Sequence, residues 1–195
     1  MHQYGGLATW TAVLVNALLI LYLSLFPALF AMTMRRLVQA WGPAGLIATP
    51  FVWVASELGR MHIMTGFPWV LLGYSQVPVL PIAQFASVLG VFGLSGLVSF
   101  VSAALVIAAA GAGLSPAAVG DRQHRRPSPL ARFAPLAVAA IFVVAIGVWG
   151  SRRVSVSPLV HEGEAIRVGL IQGNVDQGEK WDRARASAIF AEYLR

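Results

Sequence analysis

The sequence predicts a polytopic α-helical membrane protein with about four transmembrane helices, followed by the opening strand, loop and helix of an α/β layer domain. Three observations carry this. Hydrophobic residues make up 57% of the 195 positions and charged residues only 11%, with mean hydropathy +0.72, whereas soluble domains carry about 25% charged residues. Uncharged runs reach or exceed the roughly 20 residues that a helix needs to cross a bilayer. Thirteen charged residues follow Ser151 and nine precede it, so an apolar region 1–151 gives way to a water-facing one. A soluble enzyme and a disordered chain are both excluded, because no single water-soluble core of this length hides so much apolar surface.

The first span is 7–34, which carries no Asp, Glu, Lys or Arg, holds Pro27 and is closed by Arg35 and Arg36. Gly42 and Pro43 then signal a helix start, giving a shorter second span over 44–59. Residues 61–120 carry no formal charge and must be divided by their punctuation. Pro68, Pro78 and Pro81, with Gly66 and Gly73, make 61–84 an irregular outer-face segment, and 85–110 is the third span. Irregular backbone cannot face lipid unsatisfied, so this segment belongs at the interface or against other helices. The fourth span is 133–150. Gly90, Gly93 and Gly96 in span three, with Ser95 and Ser99, read as a small-residue face for helix packing.

Arginine placement sets orientation. Arg35 and Arg36 follow span one, and Arg122, Arg125, Arg126 and Arg132 lie between spans three and four, which puts both loops on the cytoplasmic side. The loop after span two, with Arg60 alone, and everything after span four then lie outside. Residues 152–164 form a linker. In 165–195, Ile166, Val168, Leu170 and Ile171 mark a strand, residues 173–181 a turn-rich loop, and Asp182 caps a helix bearing Ala184, Ala188, Ile189 and Tyr193.

Glu57 and Arg60 stand three apart at the end of span two and are expected to form an interfacial ion pair that closes the helix and positions the next loop. That loop carries Phe67, Trp69 and Tyr74, rings suited to the headgroup level, and reads either as an aromatic belt or as the wall of a lipid-binding groove. His2, His62, His124 and His161 are scattered, so no metal site is expected. No paired carboxylates are set for acid–base work, and the chain has no cysteine, hence no thiol nucleophile. The net charge of +6 lacks a basic stripe with interleaved aromatics, which argues against nucleic acid as a partner.

The ordered series Trp53, Glu57 and Arg60, then Thr65-Gly66-Phe67-Pro68-Trp69, Gly73-Tyr74-Ser75-Gln76, and Gly173-Asn174 through Gln177 to Lys180-Trp181 resembles the bacterial apolipoprotein N-acyltransferases over almost the whole chain. The resemblance implies a bundle of about eight spans in the inner membrane, with a nitrilase-like αββα domain on the periplasmic face. This chain would then be an internal fragment, with 165–195 the truncated start of that domain. It further implies transfer of an acyl chain from a phospholipid, through a cysteine thioester, to the N-terminal diacylglyceryl-cysteine of an apolipoprotein. No cofactor is implied. The family's catalytic Glu, Lys and Cys fall beyond the matched residues, so no catalytic residue is assigned and the chain alone is expected to be inactive. Gly66 and Trp69 match the family's membrane-side motif and Trp181 a tryptophan implicated in activity; all three are assigned to substrate binding by that likeness. Asp176 departs from the proline usual in the loop. The competing reading is a non-catalytic membrane module, a transporter half or scaffold, suggested by the broken segment 61–81; it lacks an acid or base at mid-depth in the spans.

Overall fold

Long uncharged runs rich in Leu and Ala propagate helix readily once nucleated, and in the computed structural model most of the described residues of the apolar region are helical. It describes residues 6–111, 128–156, 166–170, 172, 175 and 182–193. Two compact units divide the chain, Met1–Tyr22 with Glu162–Arg195, and Leu23–His161.

Helix α1 is Thr9–Trp41, 33 residues that include Pro27. It runs past Arg35 and Arg36, which were expected to end it. Arginine is a good helix former, so the pair ends the apolar run and leaves the helix intact. The helix stops where Gly42 takes φ +61° and Pro43 follows. A 3₁₀ helix, Gly42–Ala48, then leads into α2, Thr49–His62. This turn is tight: a Cβ on Gly45 would lie 2.5 Å from the Leu37 carbonyl oxygen. Beyond it the chain folds back. Phe30 of α1 stacks edge-on against Trp53 of α2 at 5.0 Å, and Phe26 lies beside Gly59, so residue numbers rise along one helix as they fall along the other.

Three helical stretches are long and apolar enough to cross a bilayer, 9–65, 86–109 and 133–156, where four spans were expected. The first stretch holds both of the first two expected spans. With 14 residues, α2 extends only about 21 Å, short of the roughly 30 Å hydrocarbon thickness.

After α2 the backbone is irregular, as Pro68, Pro78 and Gly66 require. A 3₁₀ turn at Ile63–Thr65, a stretch without regular structure, a second 3₁₀ turn at Leu72–Gln76 and the one-turn helix α3, Leu80–Ala83, lead into α4, Ala86–Gly111. The last long helix is α5, Pro129–Val156. Helix α4 is central: α2, α5 and the Leu72–Gln76 turn all pack on it. Leu94, Leu97, Ala103, Ala104, Ile107 and Ala108 of α4 and Ala139 and Ile146 of α5 are buried, and the two helices pack together; the small side chains among them let backbones approach closely. At the other end of the interface a Cβ on Gly150 would lie 1.8 Å from the Pro81 carbonyl oxygen, so α3 rests directly on α5. Leu14, Leu18, Leu21, Leu25 and Leu29 of α1 are exposed, a face that suits hydrocarbon and would be a liability in water.

The glycines of α4 do not form the single packing face expected of them. Gly90 takes φ +66° and interrupts the helix, a Cβ on Gly93 would meet its own helix at Leu89, and only Gly96 faces a neighbour, Val54 of α2 at 3.7 Å.

In the C-terminal region no strand is present among the described residues. Residues 166–170 carry no regular structure, and Ile166, Val168 and Leu170 are all exposed. A strand is stabilised by its pairing partners, and none of these five residues is paired in a strand with another of the described residues. Asp182 does act as a cap, accepting the Ala184 amide at 2.9 Å ahead of a 3₁₀ turn at Arg183–Arg185 and helix α6, Ala186–Tyr193.

Candidate functional site

Trp53, Glu57 and Arg60 follow a spacing of four and three residues along α2, which sets them on one helical face. That face meets the irregular segment. Glu57 is buried, 3% exposed, and its Oε1 accepts two hydrogen bonds, from Trp53 Nε1 at 3.0 Å and from the Leu72 amide at 2.7 Å. Its other oxygen, Oε2, is buried and takes no hydrogen bond among the described residues. One residue further on, the Gly73 amide donates to Ser95 Oγ of α4 at 2.9 Å. Leu72 and Gly73 open a 3₁₀ turn whose preceding residue, Leu71, supplies no side-chain cap. Its first two amides, which a helix start leaves without partners, are therefore capped by side chains of two other helices.

Arg60 holds the other half of the loop. Its guanidinium donates to the Val70 carbonyl at 3.2 Å, and its own carbonyl accepts the Phe67 amide at 2.8 Å. Between these points the backbone enters the left-handed region four times, at Met64 (φ 52°), Thr65 (φ 71°), Gly66 (φ 83°) and Val70 (φ 56°). For a β-branched residue such as Val70 this conformation costs about 1–2 kcal/mol and persists only because its surroundings impose it. Gly66 admits no side chain: a Cβ there would lie 2.0 Å from the Met61 carbonyl oxygen. The result is a projecting crest. Trp69 is 64% exposed, its ring tilted against Phe67 at 6.4 Å between centroids.

Gly66 and Trp69 thus lie on one loop, as the sequence placed them. Glu57 and Arg60, expected to pair with each other, make their hydrogen bonds to that loop instead, one at each of its flanks. Trp181 lies outside the described residues. Ser95 and Val70 were missed as contributors. By sequence Ser95 reads as helix packing, and nothing in the local pattern around Val70 signals a positive φ. No group of three or more His, Cys, Asp or Glu that could hold a metal occurs among the described residues. Chemically the loop offers aromatic rings and backbone groups. A separate apolar cleft of about 410 Å³, lined by Leu29, Phe30, Thr33, Phe51, Val52, Ala55 and Ser56, lies between α1 and α2.

The sequence pattern that defines the apolipoprotein N-acyltransferase N-terminal domain matches residues 1–104, which include the whole loop. Among curated proteins the chain is 36% identical over 192 residues to an apolipoprotein N-acyltransferase of Geobacter metallireducens, covering 98% of this chain and 34% of the relative. It is 31% identical over 200 residues to that of Nitrosomonas europaea (100% and 35%) and 35% identical over 186 residues to that of Methylococcus capsulatus (93% and 32%). The chain therefore spans about a third of the length of these relatives. No solved structure matches it.

Proposed function

The chain belongs to the apolipoprotein N-acyltransferase family, and from that premise we propose that it forms membrane-embedded and loop portions of an enzyme that N-acylates lipoproteins. In this reading an acyl chain leaves a phospholipid, is held as a thioester on a cysteine, and passes to the amino group of an apolipoprotein's N-terminal diacylglyceryl-cysteine. The 195 residues contain no cysteine, so the nucleophile comes from sequence outside them, and the part played here is to build the membrane-side wall of the substrate site.

The observation that carries this reading is the braced loop. Gly66 makes its turn possible, Trp69 projects from it with the half-buried Phe67 beside its ring, and Glu57, Ser95 and Arg60 hold its flanks. An amphipathic ring at headgroup level contacts both the acyl chains and the polar region of a phospholipid, so Trp69 and Gly66 are assigned to binding the acyl donor, and Trp181 is assigned to substrate binding by the family likeness alone. We place the protein in the bacterial inner membrane as a multi-pass protein. In this reading α1 supplies one crossing, the Gly42–Ala48 3₁₀ helix together with α2 a second, and α4 and α5 two more, with 165–195 as the start of a periplasmic nitrilase-like domain.

N-acylation by the full-length protein tests the assignment. Purified into phospholipid and given a diacylglyceryl-cysteine peptide, it should yield the N-acyl peptide by mass spectrometry, and the 195-residue chain alone should yield none. Absence of product from the full-length protein, or product from the isolated chain, would overturn the reading. A phosphatase fusion after residue 156 tests the orientation; activity there is expected, and its absence would place the following residues in the cytoplasm.

A further inference from the structure

We infer that Glu57 is the positioning residue of the Gly66–Trp69 loop and acts as a hydrogen-bond acceptor through one oxygen, not as a charge paired with Arg60. The inference deepens the proposed function and rests on it for the link to acyl transfer, while its structural part stands on the geometry alone.

A chain of contacts fixes the acceptor atom. Phe30 of α1 packs edge-on against Trp53 at 5.0 Å, which orients the indole so that its Nε1 reaches Glu57 Oε1 at 3.0 Å. The same oxygen then takes the Leu72 amide at 2.7 Å, across fifteen residues of chain. Both bonds converge on Oε1, and Oε2 has no partner among the described residues, so the second oxygen is dispensable to the clamp. A glutamine side chain has the same shape and retains a carbonyl oxygen for both donors. Alanine removes the acceptor and leaves the Leu72 amide and the indole N–H without it. Leu71, immediately before the captured amide, is 3% exposed, so release of the clamp uncovers it.

The absence of cysteine from the chain allows a single-thiol test. Leu71→Cys is introduced as the reporter, and Ala139→Cys, buried in α5 at 1% exposure, serves separately as a monitor of the whole bundle. Both are held in phospholipid nanodiscs, and the rate of labelling by a water-soluble maleimide is measured. Glu57→Ala should raise labelling at position 71 at least tenfold, the scale of losing hydrogen bonds to a buried carboxylate, with position 139 unchanged. Glu57→Gln should label within about threefold of the parent at both positions. Equal acceleration at 71 and 139 in Glu57→Ala would make Glu57 a support of the whole fold, and no acceleration at 71 would remove the clamp; either overturns the inference. So does a Glu57→Gln loop as open as that of Glu57→Ala, which would show that the charge is required. In the full-length protein, N-acylation should fall in Glu57→Ala and be restored in Glu57→Gln. Should the labelling pattern hold while acylation is indifferent to Glu57 and to Trp69 alike, the clamp stands and the role given to the loop in acyl transfer fails.

Discussion

The hydroxyl of Ser95, fully buried in α4, accepts the amide of Gly73 at 2.9 Å across 22 residues of sequence. With the Leu72 amide held by Glu57, this bond ties the start of the Leu72–Gln76 turn to two helices at once, and it makes α4 a structural partner of the loop as well as a span.

Ser95→Ala leaves the Gly73 amide buried without its acceptor and is expected to cost about 1–3 kcal/mol. Gly73→Ala should cost more. Its Cβ would lie 2.4 Å from the Val91 carbonyl oxygen and 2.9 Å from Leu94 Cβ, so the turn must lift off α4. Thermal unfolding in detergent micelles should rank the parent above Ser95→Ala and that above Gly73→Ala.

Gly66→Ala and Trp69→Ala should separate the shape of the loop from its contact surface. At Gly66 a methyl group would sit 2.0 Å from the Met61 carbonyl oxygen at φ +83°, so the crest must refold. Trp69 is largely exposed, and its truncation should change stability by no more than about 0.5 kcal/mol. Both variants should lower N-acylation by the full-length protein tenfold or more. Only Gly66→Ala should also speed protease cleavage within 63–71.

At position 70 the usual order of glycine and alanine should invert. Replacing alanine by glycine in a loop ordinarily costs about 0.4–1 kcal/mol through the unfolded chain. Here the native φ of 56° penalises every residue with a Cβ, and Val70→Gly should melt above Val70→Ala. A direct comparison of the two melting curves decides it.

Two glycines of α5 should respond oppositely to alanine. Gly150→Ala places a Cβ 1.8 Å from the Pro81 carbonyl oxygen and should cost about 1–3 kcal/mol by forcing α3 away from α5, whereas a Cβ on Gly147 meets Ile82 at an ordinary 3.8 Å. Gly147→Ala should therefore be neutral or stabilising by up to about 1 kcal/mol, because alanine is the better helix former. Thermal unfolding of both variants gives the signs.

Membrane class, the long helices and the irregular stretch between α2 and α4 are legible in the sequence, because hydropathy, proline and glycine act on the residues where they stand. The sequence also singled out Glu57, Arg60, Gly66 and Trp69, since a lone acid and base in an apolar run and a glycine beside a proline and a tryptophan are conspicuous without coordinates. What these residues touch depends on how the helices pack. Helical spacing paired Glu57 with Arg60, but packing α2 against the loop gave Glu57 the Leu72 amide and Arg60 the Val70 carbonyl. It made Ser95 a hydrogen-bond acceptor, turned Gly90 into a break in α4, and folded α2 back along α1 at Gly42. Such partners lie ten to twenty-two residues away in the chain. A buried amide takes whichever acceptor the neighbouring helix brings within reach, and no local pattern of side chains records which one that is.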